Sequence, residues 1–382
     1  MNARDRPPPL PRAPLAPCWV VTEGHIGMEN QCLGVAEALG LAAVLKRVRV
    51  GFPWDRLPGQ LWWRPLRHCE GIPAGIQPGP QAGTRPRIEP RDEPSDEQDI
   101  EPSPWPEILI SCGRRGAPIA AAMRRASGGK IFTIHVQDPQ ISPRHFDLIA
   151  VPRHDSLRGA NVIVTQGATH RVTPALLAAA AAALAPAVAH LPRPLLAVLL
   201  GGANRDFRLT PAVIARLVAD LRGFSQRHGA GLLITPSRRT APALVAALRQ
   251  GLADCPHRLW DGQGENPYFA YLGLADGIAV TCDSVSMVSE ACSTGKPVYI
   301  LALAGRGNKW ERFHAPLRAE GITRPFTGEW AHWSYPPLDD TACVAREVRR
   351  RLGWPEDEAP GSPGSPGSPG SPGAPGRPPL AG

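Results

Sequence analysis

The stretch from Gly277 to Lys296 combines hydroxyl and carboxylate side chains at a spacing that suits the binding of a phosphorylated ligand. Asp283, Ser286 and Glu290 recur at helical spacing, so a helix would carry all three on one face. Unpaired backbone N–H groups at a helix N-terminus attract phosphate, and a carboxylate further along can accept hydrogen bonds from ribose hydroxyls. An ordinary amphipathic helix with a solvated polar face explains the same pattern, and this stretch alone favours that interpretation.

Glycine, arginine or hydroxyl residues also follow several other predicted strands. Ligands of doubly wound α/β sheets bind at the carboxyl ends of the strands, so these turns are candidate binding loops. Glycine lets the backbone approach a ligand closely, and arginine at a helix start could bind an anion. The residues concerned are Gly24, Gly27 and Asn30; Arg114 and Arg115; Gly201, Gly202 and Asn204; and Ser237 and Arg238. For each of them, a plain turn or a solvated side chain is the alternative.

Four side chains in or near these loops are candidate catalytic groups by type, namely His25, Glu29, His154 and Asp155. Histidine titrates near neutral pH and is the commonest general acid or base. For His154 and Asp155 a surface or turn role is the favoured alternative.

The elements that would position these residues follow from the alternation of short apolar runs with amphipathic segments, which is typical of parallel sheets flanked by helices. At 382 residues the chain has room for two such α/β domains. The predicted boundaries are 17–190 for the N-terminal domain, 191–338 for the C-terminal domain and 339–354 for a helix that could pack back across both. We predict disorder for residues 1–16, for an acidic, proline-rich insertion at 70–106, and for a Gly-Ser-Pro-rich tail at 355–382.

The formal net charge is +8 and the isoelectric point is about 9.3, which favours anionic ligands or an anionic membrane surface. The arginines are dispersed among few aromatic residues, which argues against nucleic acid as a partner. The eight cysteines lack CxxC or Cys/His spacing, so we expect reduced thiols and no metal site. No segment resembles a spanning helix or a signal peptide, so we expect a cytoplasmic protein, with peripheral binding to the inner face of the membrane as an option.

Six motifs in order along the chain resemble the mitochondrial-fission "elongated mitochondria" family, which has bacterial and plant members; the tail and composition favour a bacterial member. They are TEGHIGMENQCLGVAEALGL, SCGRRGAPIAAAMRR, VQDPQISPRHFDLIAVPRHD, VLLGGANRDFRL, TPSRRT and NPYFAYLGLADGIAVTCDSVSMVSEACSTGKP. That family is similar to GT-B glycosyltransferases, in particular the lipid-carrier N-acetylglucosaminyltransferase of peptidoglycan synthesis. The resemblance implies two Rossmann-like, doubly wound domains that face a cleft.

The resemblance also implies roles for individual residues. In GT-B enzymes the C-terminal domain holds a nucleotide sugar, which is a substrate and not a cofactor. By position, Glu290 would bind the ribose, and Ser284 and Ser286 would contact the diphosphate. The further nucleotide-side candidates are Gly201, Gly202, Asn204, Ser237, Arg238 and Asp283, and the acceptor-side candidates are Gly24, Gly27, Asn30, Arg114 and Arg115.

The N-terminal loop departs from the family pattern. Members commonly read Asp-Gly-Lys-x-Gly-His-Glu-Asn-Gln, whereas Glu23, His25 and Met28 replace the Asp, Lys and His here. A methionine cannot transfer a proton, so a base that relatives would hold at that histidine is lacking. His25 could substitute for it from within the same loop.

Three functions remain open. The first is a metal-independent glycosyltransferase that acts on an unknown acceptor, lipid-linked or in the envelope, and loses nucleotide binding in Glu290→Ala. The second is a non-catalytic adaptor that recruits a protein partner to a membrane, as the plant members' recruitment of a dynamin-related GTPase implies. The third, a nucleotide-sugar epimerase with a bound nicotinamide cofactor, is least favoured, because no Gly-x-Gly-x-x-Gly follows the first strand and Tyr-x-x-x-Lys is absent. The oligomeric state stays unknown.

Overall fold

The computed structural model of the protein describes residues 18–72, 105–305 and 307–355. The N-terminus predicted to be disordered, most of the predicted insertion and nearly all of the predicted tail lie outside these residues.

The N-terminal half is built on a six-stranded parallel sheet with the strand order β2-β1-β5-β6-β7-β8. The strands of this half are β1 (Cys18–Thr22), β2 (Ala43–Arg47), the short antiparallel pair β3 (Arg49–Val50) and β4 (Cys69–Glu70), β5 (Ile108–Cys112), β6 (Phe132–Val136), β7 (Leu148–Pro152) and β8 (Val162–Thr165). Its helices are α1 (Ile26–Ala38) and α2 (Gly113–Ala126), and α3 (Pro174–Val188) leads to the second half. Short 3-10 turns occupy Gly59–Leu61, Pro65–Arg67 and Pro143–His145.

The C-terminal half repeats this plan with the order β12-β11-β9-β13-β14-β16, which is the order 3-2-1-4-5-6 of a Rossmann sheet when its strands are counted along the chain. The strands are β9 (Leu195–Leu200), β10 (Phe207–Arg208), β11 (Gly231–Pro236), β12 (His257–Leu259), β13 (Gly277–Thr281), β14 (Val298–Leu301), β15 (Ala304–Gly305) and β16 (Thr323–Pro325). The helices are α4 (Pro211–His228), α5 (Pro242–Gly251), α6 (Tyr268–Leu274), α7 (Val285–Cys292), α8 (Asn308–Ala319) and α9 (Asp340–Leu352).

Strand β9, in the middle of the second sheet, is apolar throughout because both faces of that sheet are covered. Every residue of β9 is buried, and its side chains alternate between two hydrophobic clusters on opposite faces. The predicted α/β class with parallel sheets is therefore confirmed.

Two predictions near the first sheet need correction. The sequence of Val44–Val50 predicts a single strand, but the structure divides it at Val48 into β2 and β3, because β3 leaves the sheet to pair with β4. Glu70 belongs to β4 and so does not start a disordered insertion.

The last helix, α9, packs against α1 of the N-terminal half through Val344, Ala345 and Val348. Its first residue, Asp340, accepts hydrogen bonds from the backbone N–H groups of Gln166 (2.8 Å) and Gly167 (2.7 Å), directly after β8. Helix α9 therefore holds in place the segment that follows β8 and leads to α3 and the second half.

Gly34 of α1 lies against this linking segment, and we expect alanine there to be destabilising. A Cβ at position 34 would lie 2.1 Å from the carbonyl oxygen of His170, which the Thr341 hydroxyl also binds. We expect Gly34→Ala to lower the free energy of unfolding by about 2 kcal/mol in urea titrations, because the backbone must shift. Gly223→Ala in α4 is the matched control, since nothing lies within 4 Å of its Cβ; a gain of about 0.5 kcal/mol is expected there. An equal gain in both variants would contradict the close packing at Gly34.

Candidate functional site

The N-termini of α1 and α7 meet across the cleft between the two halves. Gln31 of α1 donates a hydrogen bond from Nε2 to Ser286 Oγ of α7 (3.0 Å), and Gln137 after β6 donates to Gln31 Oε1 (3.1 Å). A Cβ on Gly27 would lie 3.7 Å from the same Ser286 hydroxyl. Each helix follows a central strand at which the strand order of its sheet reverses, where doubly wound sheets bind ligands.

The hydroxyl of Ser284 caps α7 by accepting a hydrogen bond from the backbone N–H of Met287 (3.3 Å). The sequence predicts a helix that Asp283 or Ser284 caps and Gly295 ends; Ser284 is the cap, and α7 ends at Cys292. The N-terminus of α7, which carries the positive end of the helix dipole, therefore lies beside Gln31 of α1.

Glu290 lies one turn beyond Ser286 and is only 5% exposed, so its predicted solvated position is wrong. Its Oε2 accepts a hydrogen bond from the Tyr268 hydroxyl of α6 at 2.5 Å. Burial raises the pKa of the Glu290 carboxyl to about 7, and the hydrogen bond from Tyr268 partly opposes this shift. Tyr268 was not predicted as a site residue; its signal in the sequence was its place at the start of the helix that precedes the Gly277–Lys296 stretch.

Asp283, predicted to contact the nucleotide, is fully engaged by the protein itself. Oδ1 accepts from the Thr281 hydroxyl (2.6 Å), and Oδ2 accepts from the backbone N–H of Gly202 (3.1 Å) and the guanidinium of Arg239 (3.0 Å). The Asp283 carboxylate therefore stabilises the loop after β9 and does not face a ligand.

The two glycines after β9 are required by this internal contact. A Cβ on Gly201 would lie 2.1 Å from Asp283 Oδ1, and one on Gly202 would lie 2.4 Å from Arg239 Cβ. Asn204 completes the loop, because its Oδ1 accepts from the backbone N–H groups of Asp206 and Phe207, both at 2.8 Å. The close approach to Gly201 and Gly202 that was expected of a ligand is therefore made by Asp283 and Arg239.

Ser237 and Arg238 directly follow β11 and line a cavity of about 350 Å³ that Trp260, Asp261 and Arg249 also line. The Ser237 hydroxyl accepts a hydrogen bond from the backbone N–H of Arg239 (3.2 Å). Arg238 is exposed and has no ion-pair partner in the described part of the chain.

A second cavity of about 440 Å³ opens beyond β13 and β14 and is lined by Cys282, Trp310 and Arg318, among others. His314 also lines it, with Nε2 2.9 Å from the carbonyl oxygen of Cys282. Burial lowers the pKa of His314, so the ring faces the cavity as a neutral group near pH 7.

The N-terminal loop contains Gly24, Gly27 and Asn30, and it places His25 at the N-cap of α1. The His25 side chain is exposed and has no hydrogen-bond partner among the described residues. The Met28 sulfur packs over Gly113, where an added Cβ would lie 2.7 Å from it. A thioether thus fills the position at which family members commonly have histidine.

Two predicted site residues are held in ion pairs within the N-terminal half. Glu29 is buried, and both its carboxylate oxygens accept from the guanidinium of Arg47, at 2.7 and 3.1 Å. Arg115 donates to Glu23 Oε2 (3.0 Å) and to the carbonyl oxygen of Asp55 (3.1 Å). Of the two arginines predicted to bind an anion, Arg114 is exposed and has no ion-pair partner among the described residues.

His154 and Asp155 lie where β7 approaches α8 of the other half. Burial lowers the pKa of His154 to about 4, and its ring packs edge-on to Phe313 with the centroids 5.3 Å apart. Asp155 pairs with Lys309 of α8 (3.4 Å). This pair therefore bridges the two halves, and the His154 ring is shielded from solvent.

Within residues 18–72, 105–305 and 307–355, no three His, Cys, Asp or Glu side chains converge in a way that could hold a metal ion. The helices in this part of the chain all fall short of the length and hydrophobicity that crossing a membrane requires.

The comparison with solved structures agrees with this fold. The structure of UDP-GlcNAc 2-epimerase from Methanocaldococcus jannaschii in complex with UDP-GlcNAc and UDP aligns with a TM-score of 0.50 at 11% sequence identity, covering 88% of this chain and 99% of that one. At this identity the similarity establishes the fold alone, and the GT-B-like arrangement of two Rossmann-like halves is confirmed.

The comparison of sequences is more specific. The family model for mitochondrial fission ELM1 matches residues 26–352. The mitochondrial fission protein ELM1 of Arabidopsis thaliana is 31% identical over 391 residues, which cover 88% of this chain and 91% of the relative. An uncharacterized protein of Rickettsia prowazekii is 26% identical, covering 67% of this chain and 82% of the relative. The chain therefore belongs to the mitochondrial fission ELM1 family.

Proposed function

We propose that this protein binds a nucleotide sugar in the cleft between its two halves and transfers the sugar to an acceptor without a metal ion. The observation that carries the proposal is Glu290, a buried carboxylate one turn beyond Ser286 of α7, whose pKa is raised to about 7 and whose hydrogen-bond partner is Tyr268. A carboxyl group whose pKa is strongly raised by burial is typical of a functional site. Ribose hydroxyls would donate hydrogen bonds to Glu290 in place of the water molecules that burial excludes.

The diphosphate would bind at the N-terminus of α7. Ser286 lies in the first turn of this helix beside Gln31 of the other half, a helix N-terminus attracts phosphate, and Arg238 is an exposed cation after β11. These groups would stabilise the negative charge that develops on a leaving diphosphate, which is how a transferase can work without a metal.

Among the four candidate acid or base groups, His25 fits the task of activating an acceptor hydroxyl best. It is exposed at the start of α1, opposite α7, whereas Glu29 is bound by Arg47 and His154 is buried. An imidazole is the commonest general base in enzymes, so His25 would accept the proton of the hydroxyl as the sugar is transferred.

A thermal-shift and calorimetric screen against UDP, GDP, CDP, ADP, dTDP and their common sugars tests the proposal. We expect one nucleotide to stabilise the wild type and to bind Glu290→Gln roughly 10- to 100-fold more weakly, since a hydrogen bond to a charged group is lost. Glu329→Gln is the matched control, because this exposed glutamate pairs with Arg227 far from the cleft. Analysis of the products then separates transfer from epimerisation of the sugar.

If the folded protein binds none of these nucleotides, the transferase proposal fails. The second candidate, a non-catalytic adaptor that binds a protein partner at a membrane, then takes its place. It is favoured by the relationship to the Arabidopsis protein, whose name refers to mitochondrial fission and not to an enzyme.

A further inference from the structure

The segment 51–68, which connects β3 to β4 and is called the 51–68 loop below, exposes three large apolar side chains. Phe52 is 79% exposed, Leu61 63% and Trp63 64%. Single exposed apolar side chains are common on protein surfaces, but three large ones on one short connection mark an interaction site.

The base of the 51–68 loop is firmly packed, so this exposure is a fixed property of the surface. Trp62, between the two exposed residues Leu61 and Trp63, is buried and donates from Nε1 to the carbonyl oxygen of Leu57 (3.0 Å). Gly59 lies so close to Pro118 of α2 that an added Cβ would be 2.8 Å from the proline ring. The inward side chains anchor the loop while the outward ones meet solvent.

The exposed charges of the 51–68 loop are all positive. Arg56 and Arg64 place their guanidinium groups over the rings of Phe52 (5.9 Å) and Trp63 (4.5 Å), and Arg67 is also exposed. The one acidic residue of the loop, Asp55, is half-buried, with Oδ1 shielded from solvent. Any surface that binds here meets apolar side chains and arginines together.

We propose that the 51–68 loop docks the protein onto an anionic lipid bilayer. Phe52, Leu61 and Trp63 would enter the boundary between headgroups and acyl chains, where tryptophan is favoured because its ring is amphipathic. The arginines beside them would reach lipid phosphates while their stems stay on the aromatic rings. Exposed arginine without exposed carboxylate matches a uniformly anionic membrane better than the mixed charges of a protein surface.

This docking is independent of the proposed function and is tested with the full-length protein in vesicle flotation. The vesicles contain phosphatidylcholine with about 30% phosphatidylglycerol, and pure phosphatidylcholine vesicles serve for comparison. We expect binding to the anionic vesicles that weakens at high salt. The triple variant F52S/L61S/W63S should bind roughly 100-fold more weakly, and so should R56Q/R64Q/R67Q.

Val44→Ser is the control, since Val44 is an exposed apolar residue on β2, outside the 51–68 loop; it should bind vesicles like the wild type. Brominated lipids should quench the fluorescence of the wild type more than that of Trp63→Phe, which reports insertion directly. Nucleotide binding of the triple variants should be unchanged, so failure of docking and failure of the transferase proposal are distinguishable. A wild type that does not float with anionic vesicles, or a serine variant that floats equally well, would overturn the proposal.

Discussion

Replacing Glu290 by glutamine should raise the free energy of unfolding by about 3 kcal/mol at pH 8 and leave it almost unchanged at pH 4.5. Burial raises the pKa of this carboxyl from 4.5 to about 7. Between these values the folded protein keeps a proton that the unfolded chain releases, so the wild type loses stability as the pH rises from 4.5 to 7. Glutamine removes this titration and still offers Tyr268 an oxygen that accepts its hydrogen bond.

Urea titrations at pH 4.5, 6 and 8 measure this difference. Glu329→Gln, on the exposed surface, should differ from the wild type by a similar small amount at each of the three pH values. If Glu290→Gln is less stable than the wild type at pH 8, the carboxylate is a structural group and the argument for a functional one fails. The expected variant would be more stable and would bind nucleotide more weakly, as is common when a site residue is removed.

We expect the protein to lose stability steeply as the pH falls from 6.5 to 4, because the three buried histidines whose pKa is lowered to about 4 or below stay neutral in the folded state. Burial lowers the pKa of His135 to about 3, and the pKa values of His154 and His170 to about 4. Below pH 6.5 the unfolded chain binds protons at these side chains while the folded protein does not. The stability that the neutral histidines contribute is therefore fully present above pH 6.5, and it is lost as the pH falls towards their pKa values in the folded state.

The size of this effect follows from the protons involved. On acidification, three histidines bind protons in the unfolded chain and not in the folded protein, which favours unfolding. Glu290 has the opposite effect between pH 7 and 4.5, because there the folded protein holds a proton that the unfolded chain has released. About two net protons correspond to a slope of roughly 2.7 kcal/mol per pH unit. We expect acid unfolding, followed by circular dichroism, to begin well above pH 4.

His135→Asn tests the assignment of one of these protons. Asparagine can keep a polar atom near His135 Nδ1, which lies 2.8 Å from the Ser111 hydroxyl, but it does not titrate. The slope should fall by about 1.4 kcal/mol per pH unit, whereas the same change at the exposed His190 should leave it unaltered. A slope equal to that of the wild type in His135→Asn would refute the role of this ring.

The fold and the family could be predicted from the sequence because both depend on features that are local in the chain. Buried parallel strands must be continuous apolar runs, and β9 and β13 are such runs. Helix limits set by proline and a terminal glycine can also be predicted from the sequence: the pattern from Pro211 to His228 predicts a helix, and α4 spans these residues.

Predictions about the site were less accurate, since hydrogen bonding between distant residues decides which polar side chains remain available. Arg115 was expected to bind an anion, but Glu23, which is 92 residues earlier, already occupies it. Glu290 was placed on a solvated face by helical periodicity, although Tyr268 of the preceding helix covers it. Periodicity describes one helix, and it contains no information about the neighbour that packs against its polar side.

The sequence by itself determined the α/β class, the family and the segments that follow each strand, because composition, spacing and motif order are properties of the chain alone. Only the tertiary structure decided that Asp283 and Glu29 are bound internally, that Glu290 is buried, and that Phe52 and Trp63 are exposed. The physical reason is that burial and pairing depend on which surfaces the folded sheets and helices bring together, and residues far apart in the sequence supply those surfaces.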